Sequence, residues 1–249
     1  MVIIDYFLWF IIYSFFGWLW ETGLYILRDK RFVNRGFLNG TLCPIYGVGA
    51  CASIAILYGR VSNPVFLFLF GLIICTAVEY VTHWLLEVLF HATWWDYSKQ
   101  KFNIKGRVCL TSAVFFGICI TALIIFVHPF VSKMTSELPQ LTKLVIAIII
   151  YTVLLIDTTL TVNVLVDLDR KLQAIQFSIS ATIQSSIDIT EEKYSELKEK
   201  VTDKSPFPEH YISRRTQSML KRYPEFKSLR YKEALEDVRN KIQNKQSIK

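Results

Sequence analysis

The chain has 249 residues, of which 52% are hydrophobic and 14% aromatic, and it carries a formal net charge of +7. Its mean hydropathy is +0.34, although residues 170–249 hold 17 of the 28 Lys and Arg and 11 of the 21 Asp and Glu. Such an uneven distribution excludes an ordinary soluble domain, and the mixture of acids and bases in the tail argues against nucleic acid as a partner.

Five apolar runs are long enough, or nearly so, to cross a hydrocarbon core of about 30 Å as helices. They cover residues 3–27, 41–58, 64–90, 108–127 and 141–168. The runs predict an all-α, polytopic membrane helical bundle with about five transmembrane helices in residues 1–168. Residues 169–249 are predicted to form a basic helical tail in the cytoplasm.

The distribution of basic residues predicts one orientation. The connections after the first four runs hold four, one, four and two basic residues, and the tail holds 17. Because basic residues are retained on the cytoplasmic side, we expect the N-terminus outside the cell (inner or plasma) membrane and the tail in the cytoplasm. The N-terminus carries Asp5 and no basic residue, unlike a cleaved signal peptide. The first run is therefore predicted to remain as the first transmembrane helix of a multi-pass protein.

Part of the membrane region repeats at an offset of 66 residues. The Trp-Leu-Trp-Glu sequence that ends at Glu21 aligns with the Trp-Leu-Leu-Glu sequence that ends at Glu87. The same offset pairs Gly40 with Gly106 and Cys43 with Cys109. We interpret the pattern as a tandem two-helix repeat, as parallel repeats occur in transporter folds.

Charged groups within spans are costly and by default indicate a functional site. Glu79, His83 and Glu87 are spaced four residues apart, which places them on one face of the third predicted helix. The pattern allows a substrate, proton or metal site, or an alternative in which the carboxylates pair with arginines and fix the helix register. The candidates for a cytoplasm-facing polar cavity are Glu21, Arg35, Asn39, Glu79, His83, Glu87, Arg107 and Asp157. No metal ligand set is predicted, because a single His gives a weak zinc signal. Catalytic residues and cofactors are unknown from the sequence.

Residues 34–50 form a dense Gly- and Pro-containing segment before the second run. It predicts either a tight connection into a helix that begins at Pro44 or a partly re-entrant segment. In the tail, a spacing of three and four residues predicts a helix–helix seam formed by Leu165, Leu168, Leu172, Ile175 and Ile179. The tail is expected to dock on the membrane surface, to self-associate into a homo-oligomer, or to bind a partner subunit.

Three motifs together resemble the bacterial membrane protein family called putative ABC-transporter type IV, or CmpB-like. They are Asn-Arg-Gly-Phe-Leu-Asn-Gly at 34–40 with Cys-Pro-Ile-Tyr-Gly-Val-Gly at 43–49, Trp-Trp-Asp-Tyr at 94–97, and Phe-Asn-Ile-Lys-Gly-Arg-Val-Cys-Leu at 102–110. The resemblance covers roughly residues 5–165 and implies a permease subunit. Since the chain contains no phosphate-binding loop, a transporter would also require a separate ATPase subunit.

The leading hypothesis is a permease-like membrane protein whose substrate is unknown. One alternative is a membrane scaffold or regulator that acts through its cytoplasmic tail. Another is an intramembrane metal-dependent enzyme, although no catalytic motif is present in the sequence.

Overall fold

A computed structural model of the protein describes residues 2–184 and 213–247. Helices dominate these residues, and each of four short strands has two residues. The helices are α1 (Val2–Asp29), α2 (Pro44–Leu57), α3 (Pro64–Phe90), α4 (Leu110–Ala122), α5 (His128–Ser136), α6 (Gln140–Gln184), α7 (Arg214–Arg222) and α8 (Lys232–Ser247). The π-helical stretch Leu123–Val127 joins α4 to α5, and the strands are β1 (Ala92–Thr93), β2 (Asn103–Ile104), β3 (Val108–Cys109) and β4 (Lys227–Ser228).

Four of the helical stretches are long and apolar enough to cross a membrane. They are Val2–Asp29, Pro64–Phe90, Leu110–Ser136 and Gln140–Phe177. The second predicted run forms a helix only over the 14 residues of α2, which is about 21 Å long at 1.5 Å per residue. The all-α polytopic membrane fold is therefore confirmed, with four long helices and one short apolar helix.

Close contacts at glycines show that consecutive helices are antiparallel. A methyl group at Gly17 would collide with Tyr46, and one at Gly47 would collide with Phe10 and Ser14. Gly49 of α2 faces Cys75 of α3, while Leu57 and Leu67 share a buried cluster near the other ends. Gly71 of α3 packs against Ile120 of α4, while Glu79 further along α3 meets Ser112 near the start of α4. Because α1 and α3 are both antiparallel to α2, they run in the same direction and end on the same side.

The first part of α6 runs along α1 and is fixed at its beginning by an ion pair. The Lys143 ammonium lies 2.7 Å from the Asp5 carboxylate, and the Lys143 side chain is 3% exposed. Further along, the ring of Tyr151 contacts that of Phe7 edge to face. Lys143, one of the two basic residues counted between the fourth and fifth runs, thus lies in the first turn of α6.

The residues divide into two compact units. The first comprises Met1–Leu85 and Trp95–Thr161, and the second comprises Leu86–Trp94 and the described part of Val162–Lys249. In the second unit, β1 pairs antiparallel with β4, and the ring of Trp94 packs edge to face on Phe226.

The predicted seam of the tail lies in this second unit. Leu165, Leu168, Leu172 and Ile175 are all buried there, as are Leu235 and Val238 of α8. The side chain of Ile179 lies outside the described set, and the cytoplasmic placement of residues 169–249 stays a prediction. The second unit therefore has a core of its own, to which Leu86–Trp94 and residues after Val162 both contribute.

Candidate functional site

Two non-helical segments turn back along the long helices that precede them. After α1 ends at Asp29, the chain returns until the Cys43 N–H donates to the carbonyl of Ser14, 3.0 Å away and near the middle of α1. The segment between α3 and α4 likewise brings Tyr97 to Glu79, well inside α3. The helices α2 and α4 therefore begin partway along their predecessors, and a partly re-entrant path through the membrane stays a prediction. Their first residues, Pro44 and Leu110, are separated by the 66 residues of the sequence repeat.

Glu79 is the most enclosed carboxylate of the predicted site. It is 6% exposed, on the face of α3 that also buries His83. The Tyr97 hydroxyl donates to Glu79 Oε1 at 3.1 Å, and the Ser112 hydroxyl donates to Oε2 at 3.2 Å. One donor comes from the connection and the other from α4, so three elements meet at this carboxylate.

Glu21 is held by a hydroxyl in the same way. The Tyr46 hydroxyl of α2 donates to Glu21 Oε1 at 2.5 Å, and the Tyr46 ring packs edge to face on Phe116 of α4. The contact places a carboxylate of α1 at the beginning of α2.

The two carboxylates belong to one group, which we call the polar cluster: Glu21, Tyr46, Glu79, Tyr97 and Ser112. Tyr97 lies in the connection between α3 and α4, and burial raises its pKa above the ordinary value. The negative charges of Glu79 and Glu21 raise this pKa further. The Tyr97 phenol accordingly stays protonated and remains a hydrogen-bond donor. Contacts with α4 join the two carboxylates. Ser112 of α4 donates to Glu79. Tyr46, which donates to Glu21, packs on Phe116 of α4.

His83 lies one turn beyond Glu79 and connects α3 to the returning chain. Its Nε2 is 3.1 Å from the Trp95 carbonyl oxygen, and its ring meets the Trp95 ring edge to face. Since a carbonyl oxygen can only accept, Nε2 carries the hydrogen. The Trp95 indole N–H in turn donates to the Arg107 carbonyl at 2.9 Å, so the contact orders both ends of the connection.

The two predicted arginines each lie over a tyrosine. The Arg35 guanidinium is 5.3 Å from the centre of the Tyr25 ring, and that of Arg107 is 5.0 Å from the centre of the Tyr80 ring. Arg107 Nη1 also donates to the Tyr80 hydroxyl at 2.8 Å. Such cation–π contacts fix the planes of both guanidinium groups. Direct bonds from these arginines to Glu21 or Glu87 stay a prediction.

Asp157 and Asn39 fix the first returning segment to α6. The backbone N–H groups of Asn39 and Gly40 donate to the two Asp157 carboxylate oxygens, at 3.1 and 2.8 Å. The Asn39 side chain donates to Thr161 of the same helix at 3.1 Å. Asp157 is half-buried and accepts hydrogen bonds from this segment, and its place in the predicted cavity stays a prediction.

Glu87 lies in the part of α3 that belongs to the second compact unit, where it is half-buried. Its place in one cavity with Glu79 therefore stays a prediction. Over residues 2–184 and 213–247, the structure brings together no group of three or more His, Cys, Asp or Glu side chains that could hold a metal ion. Among these residues, the structure therefore gives no support to the alternative of a metal-dependent enzyme.

A buried histidine that the sequence analysis did not single out lies near the other end of the first unit. His128 is fully buried, and its Nδ1 is 2.8 Å from the Tyr13 hydroxyl. The rings of Trp9 and Tyr58 meet it edge to face. No sequence pattern distinguished His128 from other residues, whereas Tyr46 and Tyr97 of the polar cluster lie in motifs that carried the family resemblance.

Comparison with known proteins supports that resemblance. A family model described as putative ABC-transporter type IV matches residues 8–162, which is more than half of the chain and includes the whole polar cluster. No curated protein and no solved structure matches the chain significantly. Both carboxylates, their hydroxyl donors and the returning segments lie inside the matched region. The chain therefore belongs to the putative ABC-transporter type IV family of membrane proteins.

Proposed function

We propose that the chain is the permease-like membrane subunit of a transporter and that the polar cluster lies on the path of the substrate. The observation that carries the proposal is the enclosure of Glu79 between two neutral hydroxyl donors inside a layer of apolar helices. A carboxylate at that position is costly to bury, so its retention favours a functional role. Family membership supports the same interpretation.

The cluster offers a definite chemistry for a substrate or coupling ion. Carboxylate oxygens that accept from hydroxyl groups can exchange these donors for those of a bound cation, amine or proton. The Tyr97 and Ser112 hydroxyls can rotate when this exchange takes place. In the proposed cavity, His83, Arg35, Arg107 and Glu87 complete the polar lining, while Asn39 and Asp157 keep the returning segment in place.

The proposal includes an orientation in the cell (inner or plasma) membrane. The short helix α2 completes a second crossing, the N-terminus is outside, and the tail is in the cytoplasm. The parallel directions of α1 and α3 support this topology, because the basic connections that follow them then emerge on the same side. Reporter fusions test it: Lys249 is expected to give a cytoplasmic signal and Asn63 an external one. A cytoplasmic signal at Asn63 contradicts the topology.

A separate ATPase is the proposed energy source, and affinity purification of the full chain in mild detergent tests for it. We expect a co-purifying ATPase whose ATP hydrolysis in nanodiscs falls with Glu79→Gln and Glu21→Gln at unchanged abundance of the chain. Glu137→Gln, at an exposed position after α5, is the matched control and should leave hydrolysis unchanged. Loss of abundance alone, without a change in hydrolysis per complex, would show that the carboxylates only maintain the fold.

A second candidate is a membrane scaffold or regulator that acts through its tail, including self-association through it. The packed core that α6, α7 and α8 form in the second unit favours it. Deletion of residues 190–249 separates the candidates when membrane abundance is controlled. A scaffold would lose its binding partners completely, whereas a permease, which keeps α1–α6, would retain ATPase coupling.

A further inference from the structure

The loop between Tyr97 and Gly106 combines positive charge with exposed apolar side chains. Residues 98–105, which we call the hairpin tip, contain Lys99, Lys101 and Lys105 and no acidic residue. All three lysines are exposed. In the same eight positions, Phe102 is 79% exposed and Ile104 is 56% exposed. Exposure of these two side chains to water is unfavourable, because apolar surface gains free energy when it is removed from water.

The backbone holds the tip in an unusual shape. Phe102 and Lys105 both have φ of 53°, in the left-handed region that bulky residues rarely adopt. The shape is braced from inside, since the Asn103 side chain donates to the carbonyls of Gln100 and Ser98 and accepts from the Gly106 N–H. Strain maintained by such a set of bonds is typical of functional segments. The tip is thus built to present Phe102 and Ile104 outward.

The connection that follows α1 shows a similar combination. Lys30 and Arg31 are exposed, as is Arg28 in the last turn of α1; Phe32 is 68% exposed, and Lys30 also has φ of 53°. Because α1 and α3 run in the same direction, both connections emerge at the same end of the helix layer. One end of the first unit therefore carries two basic loops, each with an outward-facing phenylalanine.

We propose that the hairpin tip is a binding site for anionic phospholipid headgroups, with Phe102 and Ile104 inserted at the boundary of the acyl chains. Apolar side chains enter this boundary while the lysine stems extend toward the phosphates. Charge complementarity selects the lipid, since the three lysines face the membrane surface without a compensating acid in the tip. The inference is independent of the transport proposal and of the polar cluster.

Native mass spectrometry of the full chain in mild detergent tests the site, with phosphatidylglycerol and phosphatidylcholine as the probes. The wild type is expected to retain phosphatidylglycerol preferentially, and replacing the tip lysines by Gln should weaken its binding about five-fold per lysine. The control is Lys133→Gln, which removes one exposed charge from α5, compared with Lys101→Gln, which removes one charge from the tip; Lys133→Gln should leave binding unchanged. Equal retention of the two lipids, or equal effects of Lys101→Gln and Lys133→Gln, overturns the proposal.

Phe102 is tested separately from the charges. Phe102→Asn removes the ring but suits the left-handed backbone, so the hairpin should keep its fold and thermal unfolding should not change. The variant is expected to bind phosphatidylglycerol several-fold more weakly. Phe102→Trp in nanodiscs should gain fluorescence that brominated phosphatidylglycerol quenches. If the added fluorescence of the Phe102→Trp variant is not quenched and becomes shielded only when a soluble protein is added, the occupant is a protein and the lipid assignment is wrong.

Discussion

The hydroxyl groups around Glu79 determine how a carboxylate is tolerated in the helix layer. Each of its oxygens accepts from one neutral donor, Tyr97 on one side and Ser112 on the other. Removing a donor leaves a buried carboxylate oxygen without its hydrogen bond, and such a loss lowers the free energy of unfolding by about 1–3 kcal/mol.

We therefore expect Tyr97→Phe and Ser112→Ala each to lower the free energy of unfolding by about 1–3 kcal/mol. Thermal unfolding in detergent measures this. Tyr151→Phe is the control, because the Tyr151 side chain is 57% exposed and its ring contact with Phe7 is kept. If Tyr97→Phe and Tyr151→Phe unfold at the same temperature, the hydroxyls do not stabilise Glu79.

The ion pair of Asp5 and Lys143 is asymmetric. The Lys143 side chain is 3% exposed and that of Asp5 is 24% exposed. Asp5→Asn leaves the more deeply buried charge, Lys143, unpaired and should lower the free energy of unfolding by about 3 kcal/mol. Lys143→Met leaves the Asp5 carboxylate unpaired, but water still reaches it, so the loss of stability should be smaller. Chemical denaturation measures both, and Asp167→Asn, whose partner Lys171 belongs to a more exposed pair, is the control. The reverse order would contradict the assigned burial.

Sequence reasoning identified the polar residues more readily than their partners. The spacing of Glu79 and His83 predicted a shared face, and both are buried on it. The donors to Glu79 could not be predicted, because Tyr97 follows it by 18 residues in a connection and Ser112 by 33 residues in α4. The contacts of Arg35 and Arg107 with tyrosines were missed for a related reason: sequence offers a carboxylate and an aromatic ring as equally plausible partners for a guanidinium group.

Among the elements, the α1–α2 pair depends on glycine. Gly47 lies against backbone and side-chain atoms of Phe10 and Ser14, whereas a Cβ at Gly23 in α1 would have no neighbouring atom within 4 Å. Close approach of this kind is typical of helix pairs in membranes.

We expect Gly47→Ala to separate the helices and to lower the melting temperature. Gly23→Ala is the matched control and should leave stability unchanged or raise it slightly, since Ala favours a helix over Gly by about 1 kcal/mol. Differential scanning fluorimetry in detergent compares the two variants. Equal melting temperatures would show that α1 and α2 can separate without cost.

Hydropathy predicted the long helices well and the short one less well. The run at 41–58 contains a helix only from Pro44 to Leu57, because the residues before Pro44 are not helical and the Cys43 N–H is bonded to Ser14. The hairpin of β2 and β3 was not predicted, since two-residue strands carry no detectable alternation. Pro44, by contrast, was a correct signal for a helix start.

At the scale of the whole molecule, hydropathy and composition were sufficient to predict a polytopic helical membrane protein, while the separate cytoplasmic tail stays a prediction. They could not predict which residues pack in each compact unit, because the units exchange segments: Leu86–Trp94 joins residues after Val162. Pairing of β1 with β4 links positions more than a hundred residues apart. Local patterns contain no information on such contacts.

The bonds from Asn39 and Gly40 to Asp157 have a consequence for biogenesis. Asp157 follows these two amides by more than a hundred residues, so the ribosome delivers the acceptor long after the donors have emerged. Unpaired amides are strongly disfavoured in lipid, and the nascent first pair of helices must keep them hydrated or covered until α6 is inserted. A chain that stops before α6 is therefore expected to be recognised as unfinished by membrane quality-control proteases, which pulse-chase labelling of such truncations would detect.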